Sequence, residues 1–329
     1  MNFEKEIVSE NPVQPDDFMN PPDSGNEWST IKIPANPGDE NVWELQEEVS
    51  DDFNYTFESV TSETTIEGKW TNFYHNGWDG PSPSKWVHEN VEVSDGVLKL
   101  KATRVEGETK VGSCNGVTTN LPATRMGCIT STKRIIYLVF VETRVKVTNA
   151  YMASDIWMLS PDDTQEIDVL EAYGHKTAEN DWYAQRLHIS HHVFIRNLFQ
   201  DYQPKDQSTW YTGDETTYWS DHWLRIGVYW KSPTHLEYYV NGELIKISDN
   251  LDTVGDKDGI DPLNYTSPDG KAATRTGLNK EMDIIINIED QTWNACAGRT
   301  PSNEDIKDTE KHTFKVDWIR VYKLEKKSD

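Results

Sequence analysis

Two alternating runs joined by Asn-Gly make LEYYVNGELIKI the stretch that most limits what this chain can fold into. Asn and Gly accept the positive φ angles that a two-residue turn between antiparallel strands demands. VEVSDGVLKLKATRV repeats the pattern around Asp-Gly, and HWLRIGVYW, MDIIINIED and TFKVDWIRVYKL are further strand-like runs. Helical periodicity is nearly absent, with PSNEDIKD reading as one short turn of helix. Many strands separated by tight turns predict an all-β fold. Its expected form is a β-sandwich jelly roll of two curved antiparallel sheets, with an open cleft on the concave face.

Residues 1–40 are rich in Pro, Asn, Asp and Glu and show no period, so they read as an irregular lead-in over the domain surface. No repeat or second composition shift follows. Residues 41–325 therefore read as a single domain and 326–329 as a tail.

A core needs some of the 13 Trp among 329 residues, and that number also suits a protein that stacks indoles on the flat apolar faces of sugar rings. A net charge of −24 would repel phosphate, which excludes nucleic acid and favours a neutral ligand. No apolar run is long enough to span a membrane. The N-terminus lacks an apolar signal core, as in a cytoplasmic protein or in a mature form whose leader has been removed. Cys114, Cys128 and Cys296 form neither a disulfide framework nor a zinc-ligand spacing. A Cys114–Cys128 bridge with Cys296 free and three unpaired thiols both fit, so the compartment stays open on cysteine alone.

The chemistry concentrates in TQEIDVLE, where Glu166, Asp168 and Glu171 fall within six residues. Strand alternation puts Glu166 and Asp168 on one face and turns Glu171 to the other. The adjacent apolar pair Val169-Leu170 breaks the alternation, and a β-bulge there would return Glu171 to the face of the other two. Retaining hydrolysis of a glycoside needs two carboxyl groups about 5 Å apart, one as nucleophile and one as acid/base. Close carboxylates also push their pKa values apart.

EIDVLE resembles the active-site strand of glycoside hydrolase family 16 in its bulged form. WMLSPDDTQEIDVLEAYG, SHHVFIR and NIEDQTW resemble the β-agarase and β-porphyranase branch, which cuts red-algal galactans. The likeness runs from about Trp70 to Tyr322. It implies Glu166 as nucleophile, Glu171 as acid/base and Asp168 as the residue that supports them. It also implies Trp78, Trp157 and Trp293 as stacking residues, and Arg196 and Glu289 as polar contacts to the galactan. Of the adjacent His191 and His192 only one can face the cleft, and His191 is assigned to it. Trp223, Trp230 and Trp318 sit in periodic strands and read as core.

A porphyranase is expected to carry a basic residue near the cleft floor to receive sulfate. Between Trp157 and Glu166 the chain has MLSPDDTQ, with two acids and no Lys or Arg. Neutral agarose is therefore the expected substrate, with Lys176 or Arg186 as the distant basic residues that would reverse the choice. The reading is a secreted, periplasmic or surface-bound monomer that cleaves agarose internally at β-1,4 linkages with retention. The alternatives are a β-porphyranase or κ-carrageenase-like enzyme, and a non-catalytic carbohydrate-binding module. Family likeness further implies one structural Ca2+ held by Asp317 and the backbone of Gly96, with no cofactor in catalysis.

Overall fold

The structure is a computed structural model that describes residues 30–204, 206–253, 257–259 and 277–327. Two large antiparallel sheets face each other. One has eight strands, ordered Glu243–Asp249, His235–Val240, Leu224–Ser232, Val139–Lys146, Phe314–Lys326, Val97–Leu100 and Val91–Ser94, with Asn41–Leu45 paired on Phe314–Lys326. The other has nine and carries the acidic strand near its middle. Its order is Gln200–Tyr202, Leu187–Ile195, Gln165–Ala172, Ala153–Leu159, Asp283–Glu289, Cys128–Ser131, Trp70–Thr71 and Thr65–Ile66, with Trp210–Tyr211 paired on Leu187–Ile195. This is the expected jelly roll.

The hairpin signals act as read. Asn241 and Gly242 adopt φ 49° and 82° between the strands His235–Val240 and Glu243–Asp249, and Asp95 and Gly96 adopt 58° and 70° between Val91–Ser94 and Val97–Leu100. PSNEDIKD yields the helix Asn303–Lys307, capped at Ser302, whose hydroxyl accepts from the Asp305 amide at 3.0 Å.

The core forms where the inward residues of the two sheets meet. Ile156, Met158, Ile167, Val169 and Leu170 of the nine-stranded sheet join one buried cluster with Val141, Ile226, Val228, Trp230 and Ile319 of the eight-stranded sheet. Each such burial contributes about 1.5–3 kcal/mol. Trp223 and Trp318 are also buried, so the three tryptophans read as core are core.

One cysteine pairing differs from both readings of the sequence. Cys114 is bonded to Cys296, which joins the hairpin Thr109–Pro122 to the short helix Thr292–Cys296 across 182 residues of chain. Cys128 is the free thiol. It lies inside the strand Cys128–Ser131, opposite Asn287, in the wall between cleft and core. A residue whose strand register fixes it in a sheet interior cannot reach a hairpin tip, and chain distance gave no hint of this.

Candidate active site

A bulge sits where the alternation fails. Against Ala153–Leu159, Asp168 pairs with Trp157 and Leu170 with Ile156, which leaves Val169 as the extra residue. Against Leu187–Ile195, Glu166 lies opposite His192, Asp168 opposite Ser190 and Glu171 opposite His188. Those three partners are spaced two apart, so all three carboxylates share one face. Val169 and Leu170 both turn into the core and are fully buried. The end of this strand is fixed by Gly174, where a Cβ would stand 2.2 Å from the Thr148 carbonyl oxygen.

The same face holds two more acids. Asp155 lies opposite Glu171 on one neighbouring strand, and Glu289 lies beyond it on Asp283–Glu289. Asn287 joins them by donating to Asp155 Oδ2 at 2.9 Å, and Gln291 donates to Glu289 Oε1 at 2.6 Å. Glu289 thus faces the cleft with Asn287, opposite the apolar side of Ile286 and Ile288, as strand parity predicts. Asp155 is a residue that sequence reasoning missed. Its signal was available, because Asp155 stands two before Trp157 and so shares its face.

Two histidines counter this negative charge. His192 lies 3.2 Å from Asp168, 4.0 Å from Glu166 and 2.8 Å from Asp201. His188 contacts Glu171 Oε2 through Nδ1 and stacks on Trp210 at 4.2 Å between ring centroids. Burial pushes Glu166 well above the usual carboxylate range, and the neighbouring Asp168 charge adds to it while His192 opposes. Burial likewise raises Asp168, against its hydrogen bond to His192. Burial alone would lower His192, yet Asp168 and Asp201 hold it well above its ordinary value, as a cation. Burial, joined by the Glu171 charge, brings Glu289 up to about 7.

Glu171 differs. Burial acts to raise it, but the His188 contact outweighs that and brings it down to about 2. The sequence leads one to expect an isolated acid at Glu171, and the structure sets it against an imidazole.

The assignment of His191 to the cleft is corrected. It lies opposite Ile167, so it points into the interior, where its exposure is 0%. Its Nε2 meets the Asp258 carbonyl oxygen at 3.0 Å, and burial lowers its pKa to about 3. Its neighbour His192 takes the cleft position, because adjacent strand residues face opposite ways.

The remaining expected residues line the same face or its rim. Trp157 donates from its indole to Asn287 Oδ1 at 2.6 Å and stacks with Tyr74 at 6.0 Å. Trp78 is 47% exposed and meets Tyr74 edge-on at 5.6 Å. Trp293 is 43% exposed and donates to Gln291 Oε1 at 2.5 Å. Tyr173 also donates to Gln291 Oε1, at 2.7 Å, and to Glu171 Oε1, at 3.2 Å. Arg196 lies over Phe194 and donates from Nε to the Asp163 carbonyl oxygen, rather than forming a surface ion pair. Lys176 is paired with Asp221 at 2.6 Å, and Arg186 packs over Trp182 at 4.6 Å.

The expected calcium ligands lie on the other sheet. Asp317 accepts from Arg144 at 2.7 Å, while burial and the nearby Asp52 raise its carboxyl. Gly96 stands beside the Asn54 side-chain oxygen. The donors are oxygens of the kind a hard cation takes, but the Arg144 guanidinium competes for Asp317. Glu166, Asp168 and His192 are the one group of acids and histidines, among the described residues, close enough to share a metal. His192 is a cation there, which opposes a dication.

Residues 43–324 match the family model described as the GH16 domain of β-porphyranases A–D. A β-agarase of Phocaeicola plebeius is 51% identical, over 91% of this chain and 90% of that protein. β-Agarase B of Zobellia galactanivorans is 44% identical, over 90% of this chain and 82% of its own. Its solved structure covers 92% of this chain and 100% of that one, with a TM-score of 0.79. β-Porphyranase B of Phocaeicola plebeius is 22% identical over 86% of this chain.

Proposed function

The chain belongs to glycoside hydrolase family 16, and from this we propose that it is a retaining, endo-acting β-agarase that cleaves β-1,4-galactosidic linkages inside neutral agarose. The bulge at Val169 carries the reading, because it is what lets Glu171 share a face with Glu166.

In this reading Glu166 is the nucleophile. Its carboxylate attacks the anomeric carbon, the glycosidic C–O bond breaks, and the leaving oxygen takes its proton from Glu171. A covalent glycosyl-enzyme results. Water then attacks the same carbon, gives its proton to Glu171, and releases Glu166. The His192 cation keeps the charge of Glu166 available despite burial, and Asp168 holds that imidazole beside it. Trp78, Trp157 and Trp293 stack sugar rings, and Arg196 and Glu289 bind their hydroxyl groups. Five clustered acids are costly to bury, and a module that only binds sugar has no use for them.

Porphyran is the second reading, favoured by the family model's description and by the Arg196 guanidinium on the cleft side. Agarose is preferred because the agarases are far more similar, and because Lys176 and Arg186 are both engaged elsewhere. Side-by-side digestion of agarose, porphyran, κ-carrageenan and laminarin tests this. Agarose should be cut fastest, and faster cutting of porphyran would overturn the preference.

The chain acts as an exported monomer in this reading. The Cys114–Cys296 bond supports an oxidising compartment. A structural Ca2+ at Asp317 and Gly96 remains part of the proposal. Chelation should lower the melting temperature without changing kcat, and an unchanged melting curve would remove the ion from the account.

A further inference from the structure

Beyond the expected stacking residues lies an aromatic surface that the sequence did not single out. Trp182, in the short helix Asp181–Ala184, is 45% exposed, nearly as open as Trp78 and Trp293. A large indole left open in this way costs apolar burial, which asks for a reason. It is not isolated. Trp182 meets Tyr183 at 4.9 Å and Trp210 at 5.1 Å, Tyr183 meets Trp293 at 5.6 Å, and Tyr173 meets Tyr183 at 6.0 Å. Arg186 lies over the Trp182 ring at 4.6 Å, and Arg299 lies 5.4 Å from both Tyr183 and Trp293. Packed rings and guanidinium groups hold these indoles still, so little side-chain entropy is lost on binding.

This surface is continuous with the acid/base rather than with the nucleophile. Tyr173 bonds to Glu171, and Trp293 reaches Glu171 through Gln291, whose Nε2 lies 3.4 Å from Glu171 Oε1. Trp210 backs both His188 and Trp182. The second aromatic group, Trp78, Trp86 and Trp157, instead surrounds Tyr74, and its Trp157 lies opposite Asp168 in the ladder, on the nucleophile's side of the bulge. Among the described residues no ring contact joins the two groups.

We infer that Trp182, with Tyr183 and Trp293, forms a binding platform for neutral sugar rings on the leaving-group side of the cleft, so that the enzyme holds the departing part of the chain beyond the scissile bond. This rests on the hydrolase reading above. The acid that protonates the leaving oxygen is the group to which the platform is tied, and stacking on indole suits uncharged rings.

The test compares wild type with Trp182→Ala and Trp182→Phe on agaro-oligosaccharides of increasing length, each labelled at the reducing end. Trp182→Ala should lose about tenfold more kcat/KM on the longest oligosaccharides than on the shortest, equivalent to about 1.4 kcal/mol. Trp182→Phe, which keeps a ring, should recover part of that difference. Cuts by Trp182→Ala should move toward the reducing end, because the departing segment is no longer held. An equal loss at every length, or labelled products that grow longer, would overturn the inference while leaving the agarase reading intact. A wild-type enzyme that leaves all agaro-oligosaccharides uncut would overturn both.

Discussion

Glu171 lies opposite His188 in the ladder, on the face of Glu166, although alternation along the strand would turn it away. The displacement is the work of one residue, Val169, which has no partner of its own on the adjoining strand. Fold, proton and chemistry meet at this point. The bulge brings the second carboxylate to the cleft, where the imidazole opposite contacts it.

Deleting Val169 should therefore leave the three carboxylates on one face, because Glu166, Asp168 and Glu171 then stand two apart along an unbulged strand with Leu170 alone turned to the core between the last two. Activity on agarose should survive in part, while loss of the buried Val169 side chain lowers stability by a few kcal/mol. Glu171→Gln, which leaves the bulge in place, should instead cost about 10²- to 10⁴-fold in rate. Initial rates on agarose and a thermal melt read both, and a deletion variant as inactive as Glu171→Gln but still folded would contradict this account of the bulge.

The pH profile should show an acid limb above the usual carboxylate range, because burial and Asp168 raise Glu166 and the nucleophile must be ionised. Activity is lost as pH falls through that raised value. His192 is the cation that opposes the shift, so His192→Gln should move the acid limb to higher pH. A limb that stays where it was would remove His192 from this role. The kcat/KM profile of the free enzyme is the quantity to measure.

Much of this site was legible in TQEIDVLE because Val169-Leu170 is a visible break in a two-residue period, and a bulge is the local remedy. Glu289 followed from parity with Asn287 in the same way. The histidines were not legible as partners. His188 and His192 reach their acids only through pairing of two strands, and the register of that pairing is not written in either strand alone. His191 was misassigned for the same reason, since one step of register separates core from cleft. The disulfide escaped because it joins a hairpin and a short helix far apart in the chain, whose approach the whole fold decides.

Breaking the disulfide should test its structural share. Cys114→Ser with Cys296→Ser removes a link across 182 residues, so stability should fall by about 2–5 kcal/mol. The helix that ends at Cys296 also carries Trp293, so KM on long substrates should rise more than kcat falls. An unchanged melting temperature and KM would show the bond to be incidental.

His75 ties the turn before the catalytic strand to the start of Asp283–Glu289, with Nε2 at 2.8 Å from Asp163 and Nδ1 at 2.9 Å from Asp283. Burial acts to lower its pKa, but the two carboxylates win and raise it above 6.5. A raised folded pKa means that the stabilisation is complete below the unfolded value and disappears as pH climbs through the folded one. Unfolding free energy should thus decline above about pH 6.5, and His75→Gln should flatten that decline. An identical slope in the variant would contradict the argument.

The central claim is double displacement at Glu166 with Glu171 as acid/base, and the stereochemistry of the first product tests it most directly. Proton NMR of agarose digestion, recorded before the new reducing ends can mutarotate, reads the anomer released. The account predicts the β-anomer first, followed by slow appearance of α, and neither in Glu166→Gln. An initial α-anomer, or undiminished hydrolysis by Glu166→Gln, would contradict it.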